Sequence, residues 1–384
     1  MGLVGVPYIC LALADCGHRV VLNIAGSTTP GTEKFLTRSA ADVLQAPEAS
    51  AFGIVSYKAV GRWRFAPSLW NLSAAVKQAD FVMLHSLYSF PVLVGYALAR
   101  LHRRPYGLWP HGVLAPFQRR VGAYKKMVYD HLLTTRMLNA ASVLFYSAEG
   151  EREEAAPLNL QPPSVIIPHG IDVREFADLP ARGQFRAKYL SGHSGSLVLY
   201  LGRLNAKKGL DVLVQAFAIL ATELPDARLV IAGSGDPPSF SDLVRRWVSE
   251  AGLDDRVVMT GLLSHAEKRA AYADADVFVL PSQAENFAFA MFEAMASRVP
   301  VVVADSLNFA GEVARQGAGR VVRRTPEAVA VAMSDILRDP SLREQMGTNG
   351  YRLAQSYGWQ SVGEMMDQTI RRIVQGLPLN SHAS

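Results

Sequence analysis

Cysteine is almost absent from this sequence, and long apolar runs are missing altogether. The two cysteines, Cys10 and Cys16, cannot build a disulfide framework or a four-ligand zinc site. No stretch approaches the roughly 18–20 uninterrupted apolar residues that a spanning helix needs. No Lys or Arg precedes the short apolar stretch at the N-terminus, which therefore does not read as a secretory signal. Charged residues make up only 19% of the chain against 49% hydrophobic, a balance that excludes disorder, collagen-like sequence and coiled coil. The expectation is a soluble, cytoplasmic protein of a reducing compartment. Its 384 residues exceed one ordinary core and suit two domains.

Charge is unevenly spread. Of the net +5, residues 1–180 carry a surplus of four and the remainder a surplus of one. The surplus gathers in residues 100–136, where Arg100, Arg103, Arg104, Arg119, Arg120, Lys125, Lys126 and Arg136 face a single acid, Asp130. Two readings stay open: a solvated helix face, or a surface that meets anionic lipid or a phosphate-bearing acceptor. The second would place the protein peripherally at the inner face of a membrane. No recognised nucleic-acid-binding motif accompanies the charge, so nucleic acid is not an expected partner.

Short apolar runs recur along the chain. Arg19–Gly26, Asp80–Ser86, Ser142–Ser147 and Val165–Pro168 read as buried strands in the first half. Leu197–Arg203, Leu229–Gly233, Val257–Gly261, Val277–Ser282 and Val299–Asp305 do so in the second. They are rich in β-branched residues and apolar on both faces, as a parallel sheet covered on two sides requires. Helix-period stretches such as Leu210–Ala221 and Phe289–Ala296 lie between them. This alternation, repeated twice, predicts two doubly wound α/β domains, over residues 1–175 and 176–358. In the tail, 359–384, Trp359, Val362, Met366, Ile370 and Ile373 form one helical stripe, predicting a last helix that packs on a domain, the N-terminal one being a candidate.

In open α/β sheets ligands sit beyond the carboxyl ends of the strands, and several polar or Gly-rich groups fall there. Gly202-Arg203 closes one strand, with Lys208-Gly209 entering the next helix; two cations beside a helix N-terminus can hold a diphosphate. Gly233-Ser234-Gly235 closes another, where a missing Cβ allows close approach of a ligand; a plain turn explains it as well, and it does not extend to the dinucleotide fingerprint. After Pro281-Ser282, Glu285 falls in the loop and Glu293 in the following helix. The amides of Asn286, Phe287, Ala288 and Phe289 become anion donors at that helix start. Carboxylates that read hydroxyls beside amides that hold phosphate describe a sugar-nucleotide site.

Here the run PSQAENFAFAMFEAMASRVPVVVAD resembles the E-x7-E segment of retaining GT-B glycosyltransferases of the family 4 group. LGRLNAKKGLDVLVQAF resembles that family's diphosphate-binding segment, and LVIAGSGD, VVMTGLL and GWQSVGEMM follow in its order. In the first half ADFVMLHSLYSF, WPHG and VIIPHGID resemble its acceptor domain. The resemblance implies two Rossmann-like domains facing across a cleft and a hexosyltransferase that uses a nucleotide-sugar donor as substrate, with neither cofactor nor metal. It implies that Arg203 and Lys208 bind the diphosphate and that Glu293 bonds the ribose hydroxyls. Glu285 and the amides near Phe287–Phe289 would contact the transferred sugar, and Gly261, Leu262 and Leu263 would pass the base. His111 would sit near the reacting centre, and the Gly5 loop near phosphate or acceptor. The implied acceptor is a glycan or a lipid-linked sugar.

The sequence departs from the pattern at four places. Ala288 stands where the family usually has Gly, harmless to an amide contact if φ stays negative. Arg298 replaces a helix-end Gly and is expected to carry modest strain. His169 replaces a more usual Asn, which leaves its role unassigned. The family's first strand should precede the Gly-rich loop, yet Met1–Gly5 already reads as that loop; a lost central strand leaves its neighbours' backbone groups unpaired. This motivates an alternative: a catalytically impaired homologue that binds sugar nucleotide or serves as a scaffold subunit.

Overall fold

The computed structural model describes residues 5–26, 51–61, 63–114, 133–285 and 287–379. The chain forms two compact units, one of residues 1–170 with 359–384, the other of residues 171–358.

The described residues of the first unit form six strands in two parallel sheets. β1 (Arg19–Ala25) pairs with β2 (Ala51–Tyr57), and β3 (Val82–His85), β4 (Tyr106–Trp109), β5 (Val143–Tyr146) and β6 (Ser164–Ile166) run in that order. The sequence reading missed β2 and β4. Gly53 and Ser56 interrupt the apolar run of β2, and β4 is four residues long between two prolines. Gly107 in β4 is a packing requirement, since a Cβ there would lie 2.5 Å from Phe145 and 2.8 Å from Phe81.

Among the described residues no strand precedes the first helix, Val6–Asp15, and neither β1 nor β3 has a second neighbour. The two sheets nevertheless share their cover. Val20 of β1 and Met83 of β3 pack into one core with Ile9, Leu13, Val362 and Met366, and Ala25 packs with Phe90, Val94 and Leu98 of the helix after β3. They are two parts of one layered domain, and among the described residues β1 and β3 are edge strands. β1 shows the consequence: most of its apolar residues are half-buried, whereas β4 and β5 are buried throughout.

The last helix, Trp359–Val374, lies against Val6–Asp15. Gly363 permits the approach, since a Cβ there would meet that of Ala12 at 2.8 Å. Tyr8 stacks on Trp359 at 5.2 Å, and His18 meets Asp367 at 2.5 Å. The basic stretch 100–136 is not one helix face. Arg100 ends the helix Phe90–Leu101, Arg103 and Arg104 lie beyond it, and Arg136 sits in Thr135–Asn139. Arg119, Arg120, Lys125, Lys126 and Asp130 lie outside the described residues. No described helix is long and apolar enough to cross a membrane.

The second unit is one parallel sheet of six strands: β7 (Leu197–Leu201), β8 (Arg228–Ala232), β9 (Val257–Gly261), β10 (Val277–Leu280), β11 (Val301–Ala304) and β12 (Gly319–Val322). Their order is β12-β11-β10-β7-β8-β9. β12 is the strand the sequence reading missed, a four-residue element followed at once by Arg323 and Arg324. From β7 the chain winds one way to β8 and β9 and then returns to β10 on the other side. The switch point therefore lies between β7 and β10, where open α/β sheets bind ligands.

Candidate active site

The loops that leave β7 and β10 meet at the switch point. After β7, Asn205 caps a short 3-10 turn, Ala206–Lys208, by accepting from the Lys207 amide, and Gly209 takes φ +68° before the helix Leu210–Glu223. Glycine is required there, because a Cβ would lie 2.0 Å from the Pro281 carbonyl oxygen. The Gln283 amide donates to the Lys207 carbonyl at 2.7 Å. Thus held together, the loops bring Lys208 Nζ to 2.5 Å from Glu285 Oε1. Ser282 Oγ donates to the same oxygen at 2.8 Å, and Asn308 Nδ2 to the Glu285 carbonyl at 3.0 Å. Both charged groups are largely buried, with side chains 16% and 13% exposed. Arg203, at the end of β7, is more open and pairs with Asp236 at 2.7 Å.

Glu293 lies one turn into the helix Phe289–Ala296. Lys268 Nζ reaches its Oε1 at 2.7 Å, and the Tyr272 hydroxyl donates to Oε2 at 2.9 Å. Burial and the adjoining Glu293 charge hold the Tyr272 phenol well above its ordinary pKa, so it stays a donor. Each carboxylate oxygen keeps a lone pair for another partner. Lys268 and Tyr272 escaped sequence reasoning, although the signal was present. Ser264 and Glu267 form a capping box at the start of His265–Asp274, and residues 268 and 272 share a face at i, i+4.

Other expected residues behave differently. Phe287 is 2% exposed and stacks on Phe292 at 4.6 Å, so its side chain is core, while Phe289 is 45% exposed. Ala288 has φ +19°, so the condition of a negative φ, under which its methyl is harmless to an amide contact, is not met. Arg298 does stand at φ +58°, with its guanidinium 4.2 Å from the Tyr351 ring. Gly233 is needed by the backbone itself: a Cβ would lie 1.8 Å from the Gly202 carbonyl oxygen, which accounts for the residue without a ligand. Gly261 ends β9 at φ +72° in open space, followed by the exposed Leu262 and half-buried Leu263. Asn286 lies outside the described residues.

The first unit gathers a second constellation at its own strand ends. His85 ends β3, His111 follows β4, Ser147 follows β5 and His169 follows β6. His85 Nδ1 lies 2.9 Å from His111 Nε2. The rings of Trp109, His111 and His169 are within 14° of parallel, with centroids 4.9–5.6 Å apart. Trp109 Nε1 donates to Ser147 Oγ at 3.1 Å, and that oxygen lies 3.3 Å from His169 Nε2. His111 sits at φ +56°, a conformation rarely adopted by a side-chain-bearing residue. The Glu151 carboxylate holds the turn by accepting from the Gly112 amide at 2.5 Å and the Ser147 amide at 2.7 Å. Burial lowers all three histidines, His85 and His169 to about 4 and His111 well below its usual value. All three are neutral at pH 7. Gly5 completes the group, since a Cβ there would lie 3.3 Å from His169 Nδ1 and from Trp359. Only His111 and Gly5 were expected here; a histidine closing each of two strands, in LHS and PHG, was the available signal for the others.

Comparison with known proteins now bears on both units. The family of glycosyl transferases group 1 matches residues 181–353, and the glycosyl transferase 4-like domain matches residues 4–170. The chain belongs to this glycosyltransferase family. Its two Rossmann-like units are those of the GT-B fold. The D-inositol 3-phosphate glycosyltransferase of Kineococcus radiotolerans is 33% identical over 62% of this chain, which spans 59% of that protein. A GDP-mannose-dependent alpha-(1-6)-phosphatidylinositol monomannoside mannosyltransferase of Mycolicibacterium smegmatis is 29% identical over 68% of this chain and 74% of its own length. Among solved structures, Anabaena HepE in complex with UDP and glucose superposes with a TM-score of 0.69 over 92% of this chain and 100% of that one, at 17% identity. The charged switch-point site lies in the part that matches the group 1 family and the histidine constellation in the part that matches the 4-like domain.

Proposed function

We propose that the protein transfers a hexosyl unit, with retention of configuration, from a nucleotide diphosphate sugar to a hydroxyl of a glycan or lipid-linked acceptor in cell-envelope or exopolysaccharide synthesis. The observation that carries the reading is the Lys208–Glu285 ion pair at the switch point of the second unit, with Arg203 at the end of β7 and Glu293 one turn into the helix that follows β10. Arg203, Lys208 and the amides at the start of Phe289–Ala296 stabilise the departing diphosphate in place of a metal. The bond from the anomeric carbon to the phosphate oxygen breaks as the bond to the acceptor oxygen forms. The acceptor proton passes to the leaving phosphate oxygen, releasing nucleoside diphosphate. Glu285 orients the sugar and balances developing positive charge, Glu293 holds the ribose, and His111 contacts a hydroxyl near the reacting centre. The two relatives, an inositol 3-phosphate glycosyltransferase and a phosphatidylinositol monomannoside mannosyltransferase, favour a phosphate-bearing or lipid-linked acceptor.

Release of nucleoside diphosphate from a panel of UDP-, GDP- and ADP-sugars, abolished by Arg203→Ala and Glu293→Ala, is the expected result. A panel with neither binding nor turnover sinks the reading; donor binding without turnover favours the impaired homologue instead. Peripheral attachment through residues 100–136 belongs to the same proposal. It predicts binding to anionic vesicles at low salt that is lost when Arg119, Arg120, Lys125 and Lys126 are neutralised.

A further inference from the structure

His85 and His111 are both neutral, so each ring carries one hydrogen, and only one hydrogen can occupy the 2.9 Å contact between His85 Nδ1 and His111 Nε2. Where it sits decides what the other nitrogen of His111 offers. That nitrogen, Nδ1, is buried and has no hydrogen-bond partner among the described residues. A buried N–H without a partner is rarer and costlier than an unused lone pair. The economical arrangement puts the hydrogen of His111 on Nε2, inside the contact, and leaves Nδ1 as the lone pair.

We propose that His85 is a positioning residue: its Nδ1 accepts the Nε2–H of His111 and thereby presents the buried Nδ1 of His111 as an acceptor for a ligand hydroxyl. Three features of the fold fix this geometry. His85 closes β3 and His111 follows β4, adjacent strands whose register pairs His85 with Trp109. The His111 ring lies 4.9 Å from Trp109 at 10°, which restricts rotation about its side-chain bonds. Its backbone is held at φ +56° by a turn that the Glu151 carboxylate clamps through the Gly112 amide. With ring plane and backbone both set, the remaining freedom is which nitrogen bears the proton, and His85 settles it. A hydroxyl that donates to Nδ1 is thereby oriented with its oxygen lone pairs free for other contacts. Insofar as His111 serves sugar transfer, the inference rests on the proposed function; the proton placement does not.

The experiment uses the full chain labelled with 15N-histidine. In the unliganded protein a scalar coupling across the hydrogen bond is expected between His111 Nε2 and His85 Nδ1, with the large one-bond N–H coupling on His111 Nε2. His85→Phe keeps a ring near Trp109 but removes the acceptor, so the coupling disappears. In the same variant kcat for nucleoside diphosphate release should fall about 10- to 100-fold with little change in the KM for donor. His85→Asn places an amide oxygen near the position of Nδ1 and should recover most of that loss. A wild-type proton on His85 Nδ1, or no coupling at all, overturns the assignment whether or not any donor is turned over. Coupling as expected with an unchanged kcat in His85→Phe overturns the positioning role. Coupling as expected in a wild-type protein that turns over no donor counts against the transferase reading alone.

Discussion

The two units place their functional groups at the same spot, the carboxyl ends of parallel strands, and fill it with opposite chemistry. In the second unit the groups are charged and paired: Lys208 with Glu285, Lys268 with Glu293, Arg203 with Asp236. In the first they are neutral: three imidazoles and an indole in near-parallel array, braced by one hydroxyl and one carboxylate. A site of fixed charges suits a ligand that brings charge of its own, because a phosphate can share the cation with the protein carboxylate while that carboxylate accepts from the ligand's hydroxyls. A neutral site suits hydroxyls, which need directed lone pairs and N–H groups rather than net charge. The same topology thus serves two kinds of ligand through side-chain choice alone.

Removing a cation from the charged side should break the comparison most severely. Lys208→Ala is expected to reduce kcat for donor cleavage by about 10²–10³-fold, the cost of one electrostatic donor at a leaving group. It also strands the largely buried Glu285, so the second unit should lose roughly 1–3 kcal/mol. Lys208→Ala/Glu285→Ala should recover part of that stability and none of the activity. Thermal unfolding and single-turnover product release separate the two effects. A Lys208→Ala enzyme with near-normal kcat would refute the role given to the ion pair.

The charged site was more legible in the sequence than the neutral one, for a physical reason. Arg203, Lys208, Glu285 and Glu293 lie in loops or helix starts directly after long β-branched runs, so their position follows from the strand pattern. The partners of Glu293 lie on another helix, 21 and 25 residues away, and only packing shows that Tyr272 and Lys268 aim at it. The histidine array depends on four strand ends meeting, and one of those strands, β4, is too short and too hemmed by proline to announce itself. A buried histidine is also ordinary in sequence; its tautomer partner is a property of the sheet. Glycines misled in the other direction. Gly233 invited a ligand, whereas the Gly202 carbonyl already occupies the space a Cβ would need.

Acidity should act on the neutral site before it reaches the charged one. The folded-state pKa of His85 is lowered to about 4 by burial, with repulsion from His169 once that ring is protonated as the smaller cause, from an unfolded value near 6.5. Between these values the unfolded chain binds a proton that the folded one refuses, so stability rises with pH across this window. The contribution is complete above about 6.5 and is lost as pH falls toward about 4. For His85 it is on the order of 3 kcal/mol, and His169 shifts in the same direction. Urea midpoints at pH 7 and pH 5, above most carboxylate titration, isolate the histidines. Trp63, Trp70, Trp109 and Trp359 lie in the first unit and only Trp247 in the second, so tryptophan fluorescence follows mainly the first. Equal midpoints at the two pH values would contradict the neutral, buried array.

The smallest expected effect tests whether hydrogen bonds inside the charged site matter individually. Tyr272→Phe removes one donor to Glu293 and leaves Lys268 in place. The ring is fully buried and packs edge-on against Phe176 at 5.8 Å, so its shape must be kept; Phe does that. One hydrogen bond to a charged acceptor is worth about 1.5–3 kcal/mol when lost without compensation, but Lys268 and solvent can compensate, so the net cost should be near 1 kcal/mol. If Glu293 holds the ribose, its loosened carboxylate should weaken donor binding about fivefold and leave kcat nearly unchanged. Isothermal titration with the donor identified by the panel measures the first, and initial rates the second. A loss of kcat with unchanged affinity would instead move Glu293 from binding the donor to acting on the reacting sugar.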